Sequence, residues 1–292
     1  MTTYLDRLAT RSAAVGNVLC VGVDPDPERL PDGFRRDLAG IERFATMIVE
    51  ATLPYAAAVK PNLAFFEAFG AAGMAVLERV RARVPSDVPV VADAKRGDIQ
   101  TTAARQAVAL FDRFGAAAVT INPYVGSEGL GPFIDRPDRF AYVLCRTSNP
   151  GAAELQGLLV EADAAILGAP AEALYLRVAR RVATWGPGGT VGLVVGATAP
   201  EELRAIRAVV PGMPFLIPGL GTQGGDAAAT LRHGPVAPGE GVARPGGGLL
   251  VNVSRSIASA ALGPSATGTT IDVEERLAAA ARDWAARLPV LP

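Results

Sequence analysis

Asp93, Lys95 and Asp98 fall within one short stretch, VVADAKRGDI, at the end of an apolar run. A charge buried alone is very costly, and even a buried pair often only breaks even. A strand that had only to fold would carry Val or Leu here. Two carboxylates and an ammonium packed so closely point to chemistry on a substrate that develops negative charge. The lysines carry a second signal. Of the 28 basic residues only Lys60 and Lys95 are lysine, and the rest are arginine. Lys is a compact charge that can give up a proton, whereas Arg effectively cannot. Both lysines end strand-like runs, YAAAVKPN and VVADAKRGD. The bland alternative is chance survival in an Arg-biased composition.

Such residues need a scaffold that brings them together. Eight apolar runs of strand length recur: VLCVGVD, AAAVKP, VPVVADAK, AAVTINPY, AYVLCRTS, TVGLVVGAT, PFLIPGLG and LLVNVSRS. Near-continuous apolar strands mean burial on both faces, as in parallel sheets. Segments with helical spacing lie between them, and DVEERLAAAARDWAARL closes the chain. The alternation predicts an α/β chain folded as a (β/α)8 TIM barrel, one domain over 1–292. A doubly wound open sheet is the competitor, but no G-x-G-x-x-G follows the first strand. Two connections exceed what a barrel needs, at about 149–190 and 219–248. The second is rich in Gly and Pro and reads as a lid, with a surface insertion as the alternative for its second half.

In a barrel, polar residues at the C-terminal strand ends converge on one site. Those ends give Asp24, Lys60 and Asn62, Asp93 and Lys95, Asn122, Ser148, Thr198 and Arg255. Asp93 and Lys95 are two apart, so regular alternation turns both inward and Ala94 out. Asp98 follows at the start of the next helix, where an N-cap is the plain alternative. The stretch PGLGTQGG after strand seven offers unobstructed backbone N–H groups, and Arg255 follows strand eight. Barrels often hold phosphate between these two loops.

Other features narrow the function. Net charge is −1, which leaves no electrostatic footprint for nucleic acid. No apolar run approaches the length of a membrane span, and MTTYLDRLATRSAAVGN lacks the layout of a signal peptide. Cys20 and Cys145 sit in apolar runs and read as buried thiols of a reducing cytosol. His233 is the sole histidine and lies in the expected lid, which argues against a His dyad or a His-based metal site. A lysine occupies the strand-two end where a metal site would want a carboxylate, so neither metal nor cofactor is expected.

From VGVDPDP to VNVSRSI the sequence resembles the orotidine 5'-phosphate decarboxylases, in the branch with longer loops found in some bacteria. D-x-K-x-x-D falls on Asp93, Lys95 and Asp98, and KPNLAFFEAFG, TSNPGA, PGLGTQGGD and SRSI follow the family's site segments in order. The resemblance implies cofactor-free decarboxylation of orotidine 5'-phosphate to UMP, the last step of de novo pyrimidine nucleotide biosynthesis, in a cytoplasmic homodimer. Lys95 would stabilise and then protonate the C6 carbanion, with Asp93 against the substrate carboxylate. Lys60 would hold the charge network and, with Asp24, contact the ribose. Asp98, accompanied by Thr102, would reach into the partner's site. Ser148 would read the pyrimidine, and Gln223 and Arg255 would grip the phosphate as the loop around Gly221 closes. Asn62, Asn122, Pro218, Gly219 and Ser254 complete the implied substrate contacts. The long loops depart from the family's compact branch. The competing readings are a metal-dependent sugar-phosphate decarboxylase or aldolase on the same scaffold, and a non-catalytic barrel that binds a phosphate ligand.

Overall fold

The apolar runs form eight strands: β1 (Leu19–Val23), β2 (Ala58–Pro61), β3 (Val91–Arg96), β4 (Ala118–Ile121), β5 (Phe140–Arg146), β6 (Val191–Val195), β7 (Phe215–Pro218) and β8 (Leu250–Val253). The computed structural model describes residues 2–162, 171–240, 244–262 and 270–291. Parts of the long connections expected at about 149–190 and 219–248, residues 163–170 and 241–243, lie outside them. All ladders between these strands are parallel, in the order β2-β1-β8-β7-β6-β5-β4-β3. Two parallel bridges, Val59 to Val90 and Asn62 to Asp93, join β2 to β3 and complete the barrel. This seam is sparse for a chemical reason. Val59 N–H donates to the Pro89 carbonyl at 3.0 Å and Leu63 N–H to the Asp93 carbonyl at 3.2 Å. Pro61, midway between them, has no N–H to give.

The strands are apolar throughout because both faces are buried. Outward residues such as Leu19, Val21, Val119, Leu193, Ile217 and Val251 pack with the helices in the main core. Inward residues, including Cys20, Ala58, Val91, Ala118, Phe140, Tyr142, Val194 and Leu216, form a second cluster inside the barrel. The period of two that separates these sets also selects which polar residues can face the interior.

Helices cover the barrel: α1 (Tyr4–Val15), α2 (Leu38–Thr52), α3 (Gly70–Arg81), α4 (Gln100–Ala107), α5 (Gly126–Ile134), α6 (Leu174–Val182), α7 (Pro200–Val209), α8 (Ala227–His233) and α9 (Thr270–Arg287), with single turns at Ala64–Glu67 and Arg255–Ala258. α1 begins with a capping box in which Thr3 and Asp6 satisfy each other's backbone N–H, and Gly16 ends it in the left-handed region at φ 70°. Such a box satisfies two helix-end donors at once. Its Tyr4, Leu5 and Leu8 close the N-terminal end of the barrel interior. α4 continues as a π-helical turn, Val108–Arg113.

Both long connections differ from simple loops. Between β5 and α6 lies a small antiparallel ribbon, Leu159–Val160 with Glu172–Ala173. It is anchored by Glu172, whose Oε1 accepts from Arg177 and whose Oε2 accepts from Arg180, both at 3.0 Å. The 219–248 region is not one lid. α8 interrupts it, capped by Asp226, which accepts from Ala229 N–H, and only its first part borders the barrel mouth. The remainder returns toward the opposite end, where Arg244 pairs with Asp6 at 3.0 Å. No helix among the described residues is long and apolar enough to cross a membrane.

Candidate active site

A cavity of about 390 Å³ opens at the C-terminal ends of the strands, within the size range of small-molecule sites. One wall carries Lys60, Asp93, Lys95 and Thr120, and another carries Ser148, Pro218, Gly219, Gly221, Gln223, Ser254 and Arg255. Leu144, Val194 and Leu216 form an apolar floor.

The charged wall is continuous. Asp93 is 8 % exposed and Lys60 4 %. Asp93 Oδ2 accepts from the Lys60 ammonium, and Oδ1 accepts from Lys95 Nζ at 2.5 Å and from Thr120 Oγ1 at 2.9 Å. Burial alone would raise the Asp93 pKa, but the charges of Lys60 and Lys95 and their hydrogen bonds outweigh it and hold the carboxyl far below its usual range. Burial likewise opposes charge on Lys60, and the carboxylates of Asp93 and Asp24 overcome it and raise that ammonium above its usual value. Lys60 and Asp93 therefore stay ionised at neutral pH.

Lys95 reaches the site by an irregular route. Regular alternation fails at β3: its pairing with β4 jumps from Ala92–Val119 to Arg96–Ile121. Lys95 has φ 48°, the sole positive φ of a non-glycine residue among the described residues. That conformation costs of the order of 1–3 kcal/mol for an L-residue and collects at functional sites. Thr120 spans the break, its Oγ1 accepting from Ala94 N–H at 3.1 Å and Lys95 N–H at 3.0 Å. Thr120 was not among the residues the sequence singled out. Its only signal was a hydroxyl in the run AVTIN, at the same strand parity as Asn122.

The opposite wall is built for close approach. Gly219 has φ 104°, and a Cβ there would stand 3.1 Å from Gln223 Oε1. At Gly221 a Cβ would meet Ser256 Oγ at 2.3 Å. Ser148 Oγ donates to Gln223 Oε1 at 3.2 Å, joining the loops after β5 and β7. Ser254 Oγ donates to Asp24 Oδ2 at 2.6 Å. Asp24 Oδ1 and Asn252 Oδ1 are buried without a protein partner, two acceptors of the kind a ligand hydroxyl or amide satisfies.

Five sequence-derived candidates lie outside this cavity. Asn122 Oδ1 accepts from Tyr124 N–H at 3.0 Å, so that oxygen is spent on its own turn. Asn62 accepts from Ala64 N–H at 3.3 Å and lines a neighbouring cleft with Asp24 and Arg255. Thr198 donates to the Ser148 carbonyl at 3.3 Å, supporting that loop. Asp98 is not the N-cap of α4, which is Ile99; its carboxylate accepts from Ile99 N–H at 2.7 Å. Neither Asp98 nor Thr102 borders the cavity of its own barrel. Cys20 and Cys145 are free and buried, and burial pushes the Cys20 thiol up to about 12.

Fold and site together define a class: a (β/α)8 barrel with a lysine-centred site at the C-terminal ends of its strands. Within that class the chain belongs to the orotidine 5'-phosphate decarboxylase / HUMPS family, whose model matches residues 17–271. It is 44% identical over 258 residues to the orotidine 5'-phosphate decarboxylase of Herpetosiphon aurantiacus, covering 87% of this chain and 90% of that protein. Among solved structures it is similar to the OMP decarboxylase of Leishmania donovani, with a TM-score of 0.77, 38% identity and coverage of 97% of this chain and 95% of that one. The Leishmania donovani UMP synthase matches with a TM-score of 0.80 and 39% identity, and there this chain spans 56% of the longer protein.

Proposed function

We propose that this chain decarboxylates orotidine 5'-phosphate to UMP, the last step of de novo pyrimidine nucleotide biosynthesis. The observation that carries the reading is the Lys60–Asp93–Lys95 array at the end of an apolar barrel, facing a glycine-rich loop and an arginine across one cavity. Breaking the C6–carboxylate bond leaves its electron pair on C6, where the pyrimidine ring delocalises it poorly. A fixed ammonium beside that carbon stabilises the developing charge without reorganising. Lys95 then gives a proton to C6, CO2 departs, and solvent reprotonates the amine. Asp93 holds both ammonium groups in place and stands where the substrate carboxylate would lie.

The remaining residues bind the nucleotide. Gly219, Gly221 and Gln223 with Arg255 take the phosphate, and the unpartnered Asp24 oxygen accepts from a ribose hydroxyl, with Lys60, Asn62 and Ser254 beside it. Ser148 meets the pyrimidine, and Pro218 closes against it. Binding energy from the remote phosphate offsets the cost of assembling the charged site. Asn122 serves through its free amide N–H2 or not at all.

The enzyme works as a homodimer in which Asp98 and Thr102 complete the partner's site. Two facts support this: both lie outside their own cavity, and Ile99, Tyr124 and Val125 beside them are exposed apolar side chains. The two reduced, buried thiols support the cytosol as its location. The metal-dependent alternative is disfavoured by Lys60 at the β2 end. Among the described residues no three His, Cys, Asp or Glu side chains form a group that could hold a metal ion.

The decisive experiment is the ultraviolet absorbance change on adding orotidine 5'-phosphate to the purified protein. Turnover is expected, and saturable binding without change would make it a binding protein instead. Mixing inactive Lys95→Ala dimers with inactive Asp98→Ala dimers tests the shared site, because subunit exchange creates one complete site per mixed dimer. Recovered activity is the expected outcome. No recovery despite proven exchange returns Asp98 to the start of α4 as a merely local residue.

A further inference from the structure

We infer that Thr120 is a positioning residue for this reaction: its hydroxyl fixes both the Asp93 carboxylate and the left-handed backbone of Lys95, and thereby sets where the Lys95 ammonium stands. The inference rests on the decarboxylase reading above and adds to it a residue that acts through Asp93 and Lys95.

A hydroxyl has one proton to give and two lone pairs to offer. Three groups surround Thr120 Oγ1: Ala94 N–H at 3.1 Å, Lys95 N–H at 3.0 Å and Asp93 Oδ1 at 2.9 Å. The two backbone groups can only donate. The hydroxyl proton must therefore go to Asp93, and no second arrangement satisfies all three. The side chain is itself immobile: it is 2 % exposed, within β4, and β-branched residues are stiff at χ1.

Its place in the ladder explains the need. On β4, Thr120 lies between Val119 and Ile121, the residues flanking the break in pairing with β3. The bulge takes the N–H groups of Ala94 and Lys95 out of the regular ladder, and a buried N–H without an acceptor is costly. Thr120 accepts both. Without the hydroxyl, β3 gains by relaxing Lys95 from φ 48° toward an extended conformation, which redirects its side chain. The same loss removes one of the two donors on Asp93 Oδ1, the oxygen that also accepts from Lys95 Nζ. Both effects displace the ammonium from the reacting carbon, and a shift near 1 Å is enough to cost about 100-fold in rate.

The test compares Thr120→Val, Thr120→Ser and Thr120→Ala with the wild-type enzyme, measuring kcat on orotidine 5'-phosphate and the dissociation constant of UMP. Thr120→Val keeps the shape and loses the hydroxyl; kcat is expected to fall about 100-fold while UMP affinity changes by less than about threefold. Thr120→Ser and Thr120→Ala lack the same methyl and differ only in the hydroxyl, so they decide the matter even where the Val variant does not fold. Thr120→Ser is expected to stay within about fivefold of wild type, and Thr120→Ala to fall with Val. Equal losses in Ser and Ala, or parallel losses of kcat and UMP affinity, would assign Thr120 to packing alone. A wild-type protein that does not turn over the nucleotide overturns the decarboxylase reading itself, and this role with it.

Discussion

At the N-terminal end of the barrel, Tyr4 of α1 enters the interior and its hydroxyl meets that of Tyr142 at 3.1 Å, with the Phe140 ring stacked at 4.9 Å. At the other end the same interior holds Lys60, Asp93 and Lys95. The tyrosine pair shares one hydrogen bond, carries no charge, and is buried so that both phenols are pushed above their usual range by desolvation. The mouth is the reverse: two ammonium groups share one carboxylate, a lysine sits at φ 48°, and Asp24 and Asn252 each keep a buried oxygen without a partner. A group whose needs are met internally contributes to folding and has nothing left for a ligand. The mouth leaves needs unmet, which is the condition for binding and chemistry, and its stability is supplied by the apolar layers beneath.

This contrast makes mutations separable. Lys95→Arg keeps the charge but loses the transferable proton and compact shape. We expect kcat to fall more than about 1000-fold, roughly 4 kcal/mol in transition-state stabilisation, with the melting temperature and UMP binding little changed. A tenth of wild-type activity remaining would break the proton-donor assignment. Arg255→Ala should lower kcat/KM about 100-fold for the nucleotide but hardly at all for orotidine, which has no phosphate to hold. Equal losses on both would make Arg255 a structural residue of the mouth. Tyr4→Phe should do the opposite of Lys95→Arg. It strands the Tyr142 hydroxyl at a cost of about 1–3 kcal/mol and lowers the melting temperature by several degrees, while kcat/KM stays the same. A loss of turnover there would collapse the division between the two ends.

The smallest effect sharpens the comparison through pH. The Asp93 pKa is lowered on folding, so its contribution is complete above its ordinary value of 3.8 and is lost as pH falls through the depressed folded value. The Lys60 pKa is raised on folding, so its contribution is complete below its ordinary 10.5 and is lost as pH rises through the elevated folded value. Chemical denaturation between about pH 5 and 9 should therefore show no stability change that disappears in a Lys60→Met, Asp93→Asn double variant. The wild-type and double-variant curves should diverge only outside that window.

How much of this was readable beforehand follows from the range of each interaction. The eight strands were legible because barrel strands are apolar on both faces. Asp93 and Lys95 were legible because charges stand out in such strands. Thr120 was not, since a β-branched Thr is ordinary in a strand and only its contacts with β3 distinguish it. α1 had its signals in place, Thr3 with Asp6 at one end and Gly16 at the other, yet its role depends on a contact with Tyr142, 138 residues away. α5 contains Pro132 within the helix, so local propensity argued against a helix that tertiary packing nonetheless forms. Asp98 could be placed at the start of α4 from its own residues, but only the family resemblance sent it away from its own site, because that depends on the direction the chain takes as it leaves the bulge.

The missing rung at Pro61 ties the barrel's closure to its chemistry. Val59 and Leu63 donate their amides from β2 to carbonyls of β3 and its lead-in, and the Lys60–Asp93 ion pair spans the same junction. Any fluctuation that parts these strands also parts the charges, so the seam is where local unfolding and loss of the assembled site are one event. Solvent exchange at two amide hydrogens, those of Val59 and Leu63, thereby becomes a gauge of how firmly the charged array is held. On the proposed function, a nucleotide bound across Lys60 and Asp93 should act as a splint over the junction and slow exchange at both amides.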